Sequence, residues 1–122
     1  MAVRALRGAT TLDEDTPEQM RTRVKALFAA LFERNGVEPD DVISIFLTAT
    51  PDIRSTFPAT AARAFGLDDV ALLGAQELDV EDAMPRCVRV LLHIETDRSR
   101  AELKHVFLEG AVQLRPDLSR SE

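Results

Sequence analysis

The most apolar stretch of the chain, Cys87-Val88-Arg89-Val90-Leu91-Leu92-His93-Ile94, carries a permanently charged residue near its start. Its length and its β-branched and aliphatic content predict a strand from Cys87 to Thr96, the longest in the chain. A guanidinium cannot shed its proton to escape a dry site. Arg89 must therefore be met by an anion or by several hydrogen-bond acceptors, and any fold built on this strand has to supply them.

The segments around it limit what the strand can join. Val3 to Thr11 predicts a first strand, with Val3, Ala5 and Arg7 on one face and Arg4 and Leu6 on the other. Thr16-Pro17-Glu18-Gln19 has the spacing of a helix start, with Thr16 as N-cap, Pro17 in the first turn and Gln19 placed to complete a capping box. Met20, Val24, Leu27, Phe28 and Leu31 recur at helical spacing, and Asn35-Gly36 closes the one long helix. Val42 to Thr48 predicts a second, mostly buried strand. Pro58 to Phe65 predicts a short helix stopped by Gly66, and Val70 to Gly74 a third strand. Ser99-Arg100-Ala101-Glu102 repeats the capping-box spacing. From Leu103 to Leu114 the pattern fits a helix, yet His105-Val106-Phe107-Leu108 also suits a short strand. Residues 119–122 offer no apolar anchor and are expected to be a mobile tail after a single domain spanning 1–118.

This order implies an α+β, or α/β-like, layer: a mixed sheet of four to five strands with one long helix on a face. With 122 residues, one hydrophobic core is expected. One helix cannot cover both faces of such a sheet, so oligomerisation is expected as well. No stretch approaches the roughly 20 apolar residues of a membrane span, and Met1 to Arg7 lacks the apolar run of a signal peptide, so a cytoplasmic location is expected.

The functional classes narrow by elimination. A net charge of -6 argues against a nucleic-acid footprint, although 13 of the 15 basic residues are Arg. Cys87 is the only cysteine, and His93 and His105 are the only histidines, so neither an intrachain disulfide nor a metal cluster is expected. Neither histidine has a Ser or Cys partner at a nucleophile spacing, and no glycine-rich loop offers a phosphate cradle. What remains is a set of arginines on rigid elements. Arg7 and Arg89 lie on strands, Glu77 lies just past the third strand, and Arg115 lies near the tail. Together they could surround a small anion. Taken alone, an internal ion pair of Arg89 with Glu77 or Asp79 explains the same residues. Arg4 reads as solvated or paired at a sheet edge.

Several segments, in order, resemble the small monofunctional chorismate mutases of the AroH class. They are Arg4-x-x-Arg7-Gly8-Ala9-Thr10-Thr11, Ala49-Thr50-Pro51-Asp52, Phe57-Pro58-Ala59 with Arg63, Gln76-Glu77, Cys87-Val88-Arg89-Val90, His105 to Glu109, and Leu114-Arg115-Pro116-Asp117-Leu118. The resemblance implies a homotrimeric pseudo-α/β barrel with clefts between subunits, acting on chorismate without cofactor or metal. It implies that Arg89 donates to the ether oxygen, Arg7 holds a carboxylate and Glu77 accepts from the ring hydroxyl. Phe57, Ala59, Thr60, Arg63 and Gly74 would line the pocket with Phe107, Leu114 and Arg115, those at 57, 59 and 63 coming from the adjacent subunit. Three positions depart from the pattern: Phe107 where Tyr is common, Gly74 where Cys or another side chain often stands, and Thr60 in place of a frequent Lys.

Two other readings fit less of this pattern. A trimeric RidA-like deaminase also clamps a carboxylate with Arg, but lacks the Gln76-Glu77 and Leu114-to-Asp117 segments. A non-catalytic module that binds a carboxylate metabolite draws on Phe107 and Gly74.

Overall fold

The computed structural model describes residues 1–114, so Arg115 and the expected tail lie outside the described residues. Five strands form one mixed sheet: β1 (Ala2–Thr11), β2 (Val42–Ala49), β3 (Ala71–Gln76), β4 (Cys87–Thr96) and β5 (Val106–Phe107), in the order β3-β2-β4-β1-β5. The strand carrying Arg89 is the middle one. It runs antiparallel to both neighbours, whereas the two outer pairings, β2 with β3 and β1 with β5, are parallel. Helix α1 (Pro17–Asn35) and the shorter α2 (Pro58–Ala64) supply the second layer.

Period-two alternation sorts the sheet into two faces. Leu6 on β1, Ile45 and Leu47 on β2, and Val88, Val90, Leu92 and Ile94 on β4 point toward the helices. They form one buried cluster with Met20, Val24, Leu27, Phe28 and Leu31 of α1. The rings of Phe28, Phe32 and Phe65 pack within 5.5–6.3 Å of one another and join α1 to the end of α2. Gly36 ends α1 in the left-handed conformation, at φ 62°, with its N–H donating to the Phe32 carbonyl.

The start of α1 differs from the expected capping box. Thr16 Oγ1 does accept from the Gln19 N–H, at 3.2 Å. The Gln19 side chain, however, turns away from Thr16 and accepts from the N–H groups of Asp13 and Glu14, bracing the turn that follows β1. The third strand is displaced toward its C-terminal end, because Ala71 to Gln76 pair with Ser44 to Ala49 of β2. The ambiguous segment after Leu103 contains both structures: two strand residues, Val106 and Phe107, pair with Gly8 and Ala9, and a 3-10 turn follows over Glu109–Gln113.

The other face is open over most of its area. Val3 (60% exposed), Phe46 (43%) and Leu73 (59%) project from it. Among the described residues it is covered at its Arg89 end, where Ala9, Cys87, Phe107 and Ala111 make a second small cluster packed by Met84 and Leu114.

Gly8 shows how closely the helix sits on the sheet. A Cβ there would come within 3.0–3.1 Å of Leu31, Leu27 and Val90. Gly8→Val is therefore expected to lower unfolding free energy by about 1–3 kcal/mol, read from denaturant melts. An unchanged midpoint would mean that α1 packs more loosely against β1 than the Gly8 contacts imply.

Candidate active site

Arg89 is placed by register. It stands opposite Ala9 on β1 and Thr48 on β2, so its side chain leaves the open face between two short neighbours. Arg7, two residues along β1 from Ala9, is on the same face. Glu77 follows β3 directly, and its backbone N–H donates to the Ala49 carbonyl at 2.9 Å, extending the pairing with β2. Its side chain folds back, and Oε2 lies 3.5 Å from Arg89 Nε. The internal pair considered from the sequence is thus present with Glu77, but it is loose. Arg89 Nε is buried and has no hydrogen-bond partner, although the Arg89 side chain as a whole is 41% exposed and that of Glu77 24%. Beside them Thr50, Leu78, Val80, Ala83, Met84 and Cys87 complete the wall of a cavity of about 230 Å³.

The remaining members of this group are held by the C-terminal part of the chain. The Arg7 guanidinium stands 5.8 Å from the centroid of the Phe107 ring, a cation–π contact that depends on the ring face and not on a hydroxyl. The backbone N–H of Arg7 donates to His105 Nδ1 at 2.9 Å, fixing β1 against the residue that leads into β5. Leu114 caps the 3-10 turn and packs on the Cys87 cluster. Burial pushes the Cys87 thiol above its ordinary value despite the pull of the neighbouring Arg89 cation, so it stays protonated and serves as packing.

Phe57, Ala59, Arg63 and Gly74 gather elsewhere. They line a second, larger groove of about 880 Å³ between the 50–57 loop, α2 and the β3 edge. Phe57 is 78% exposed at its rim, and Thr60 is exposed on α2. The described residues of one chain therefore hold the expected site in two parts, Arg7, Glu77, Arg89, Phe107 and Leu114 in one and the 57–74 residues in the other. Gly74 has open space around it, with only the Leu47 carbonyl within 4 Å of a notional Cβ, so a side chain there could be accommodated. Arg4 is half-buried on the helix face, and its Nε is buried with no hydrogen-bond partner.

Polar anchors that the sequence reading passed over hold both parts in place. Thr50 Oγ1 accepts from the Cys87 N–H at 2.9 Å, and the Asp52 carboxylate accepts from the Arg86 N–H at 2.9 and 3.1 Å, clamping the start of β4. Arg86 needs that clamp, since it sits at φ 46°. Asp15 accepts from the Arg54 N–H at 2.7 Å and from the Ser55 N–H and hydroxyl at 3.2 and 2.8 Å, fixing the loop that presents Phe57. Among the described residues no group of His, Cys, Asp and Glu could hold a metal ion.

Fold and site define a small α+β protein that gathers arginines, a carboxylate and an aromatic ring on one face of its sheet. Residues 3–118 match the family model described as chorismate mutase type I. The chain is 41% identical over 120 residues to the chorismate mutase AroH of Bacillus subtilis (strain 168), covering 98% of this chain and 94% of that protein. It is 40% identical over 121 residues to the chorismate mutase AroH of Thermus thermophilus, covering 98% and 99%. A solved structure, the chorismate mutase from Clostridium thermocellum Cth-682, superposes with a TM-score of 0.86 at 41% identity, covering 88% of this chain and 96% of that one. The chain belongs to the type I chorismate mutase family.

The Asp15 anchor has a pH signature. Slight desolvation pushes its carboxyl upward, but the hydrogen bonds from Arg54 and Ser55 and the Arg54 charge outweigh that and hold it below the ordinary value. A depressed folded value means that the anchor contributes stability above the unfolded carboxylate's value, about pH 4, and loses it as pH falls through the folded value. Hydrogen exchange at the Arg54 and Ser55 amides, corrected for intrinsic rate, is expected to accelerate below about pH 4 before the α1 amides do. Simultaneous loss of protection in both places would remove Asp15 as the local latch.

Proposed function

We propose that this chorismate mutase converts chorismate to prephenate by selecting the compact diaxial conformer and stabilising charge at the breaking ether bond. The rearrangement is a one-step pericyclic shift: the ether C–O bond breaks as a C–C bond forms, with no nucleophile and no proton transfer. Catalysis then reduces to orientation and electrostatics, which arginines on rigid strands supply. The observation that carries the reading is the loose Arg89–Glu77 pair at a small cavity, with the buried Arg89 Nε unbonded. Arg89 donates to the ether oxygen, Arg7 binds a carboxylate against the Phe107 ring, and Glu77 accepts from the ring hydroxyl. The expected place of this activity is cytoplasmic, in the formation of aromatic amino acids. Among the described residues no helix is long and apolar enough to cross a membrane.

The working unit in this proposal is a homotrimer. Its support is the open sheet face with Val3, Phe46 and Leu73, and the placing of Glu77 and Arg89 at one cavity and of Phe57, Ala59, Arg63 and Gly74 at another. Phe57, Ala59, Thr60, Arg63 and Gly74 of one subunit would face Arg7, Glu77, Arg89, Phe107 and Leu114 of the next. Arg115, outside the described residues, would complete the rim with Leu114.

Purified protein mixed with chorismate is expected to form prephenate far faster than the uncatalysed reaction. Arg89→Lys should lose about 10²–10³ in kcat, because an ammonium on a flexible stem cannot reproduce a preorganised planar donor to a developing oxyanion. Near-normal turnover in that variant would remove Arg89 from the mechanism. Arg63→Ala and Arg89→Ala, each severely impaired alone, should recover activity when co-expressed, since mixed trimers contain some interfaces with both arginines. No recovery would place the whole site within one chain.

A further inference from the structure

Thr48 belongs to none of the segments that carry the family resemblance, yet it stands directly opposite Arg89 in the β2–β4 pairing, on the same face. Leu47 before it and Ile45 are buried in the main core, and Thr48 lies on the opposite face of β2. Its hydroxyl donates to Glu77 Oε2, the same oxygen that faces Arg89 Nε.

A guanidinium beside an accessible carboxylate normally closes to about 2.7–2.9 Å and forms charge-assisted bonds, often two. Here the separation is 3.5 Å and the buried Nε donates to nothing. The acceptor oxygen already takes a hydrogen bond from Thr48. We propose that Thr48 is a positioning residue: by holding Glu77 through Oε2 it keeps the Arg89–Glu77 pair from collapsing, so both charges stay available to the ligand. With Oε2 bound to the protein, Oε1 is the atom left to accept from a hydroxyl on the substrate. Without the Thr48 hydroxyl, Glu77 swings onto Arg89, and ligand binding must first break a closed ion pair.

This inference rests on the mutase reading, so wild-type turnover of chorismate is the first measurement, and its absence counts against that reading. Thr48→Val keeps the shape of the side chain and removes the donor. Since a closed pair must be broken before either ground state or transition state is bound, KM should rise about tenfold while kcat changes less than threefold. Thr48→Ser should restore both constants. In a Glu77→Gln background Thr48→Val should add little, because the pair it guards is gone. A Thr48→Val effect that is equal in the two backgrounds, or that Ser fails to restore, marks a packing role in β2 and overturns the proposal. A crystal structure of Thr48→Val gives a test independent of activity: Glu77 should move into hydrogen-bond contact with Arg89 Nε, and an unmoved carboxylate overturns the proposal.

Discussion

A guanidinium emerging from the middle strand of the sheet sets the terms for everything around it. Arg89 lies on β4, flanked on both sides by paired strands, and the residues next to it in sequence, Val88 and Val90, are core. Removing such a charge from water costs several kcal/mol unless partners replace the water. The fold supplies them only in part. Glu77 stands at 3.5 Å, Ala9 and Thr48 leave room by being short, and Nε goes without a bond. Partial satisfaction is what separates a site from a structural ion pair, since a fully bonded guanidinium has nothing left to offer a ligand.

The rest of the architecture keeps that unsatisfied group rigid. Helix α1 covers one face of the sheet, and packing too tight to admit a Cβ at Gly8 holds β1, and with it Arg7, in fixed relation to β4. The clamp of Thr50 and Asp52 on Cys87 and Arg86 sets where β4 begins, two residues before Arg89. On the open face the C-terminal segment adds a small second core around Cys87, Phe107 and Ala111, so Arg89 has a desolvated base under a partly exposed tip. In a rearrangement that needs no proton transfer, such preorganised electrostatics can carry most of the catalytic effect.

How much of this was legible in the sequence depended on whether the deciding interaction was local. Helix α1, β2 and β4 follow from periodicity and caps, because Pro17, Gly36 and the β-branched runs act within their own segments. The segment after Leu103 stayed ambiguous because its outcome is set by pairing with Gly8 and Ala9, nearly a hundred residues earlier. Gln19 had the spacing of a capping box, yet two N–H groups in the turn before the helix took its carbonyl oxygen instead. Arg89 stood out as a charge in an apolar setting, and Glu77 and Asp79 as acids past the third strand that could pair with it. Thr48 could have been found from alternation alone, since it shares a face with neither Ile45 nor Leu47, but its meaning required the register that puts it opposite Arg89.

The departure at Phe107 can be weighed in the same terms. An aromatic residue at that position has two separable uses, a ring face and, when it is Tyr, a hydroxyl. Here the ring face is engaged by the Arg7 cation at 5.8 Å, and the residue is buried in the Cys87 cluster. Both depend on the π system and the apolar surface, which Phe and Tyr provide alike. Losing the hydroxyl therefore removes at most one hydrogen-bonding group at the cavity and leaves Arg7 seated. For the proposed reaction, Arg7 anchors a carboxylate that is present before and after the bond change, so a missing contact there weakens ground state and transition state together. In the proposed mechanism the stabilisation that differs between those two states comes from Arg89, which stands on β4, two strands from Phe107. In the proposed mechanism Phe107 is thus a tolerated variation, standing two strands from the Arg89–Glu77 pair that β4, β2 and the residue following β3 hold.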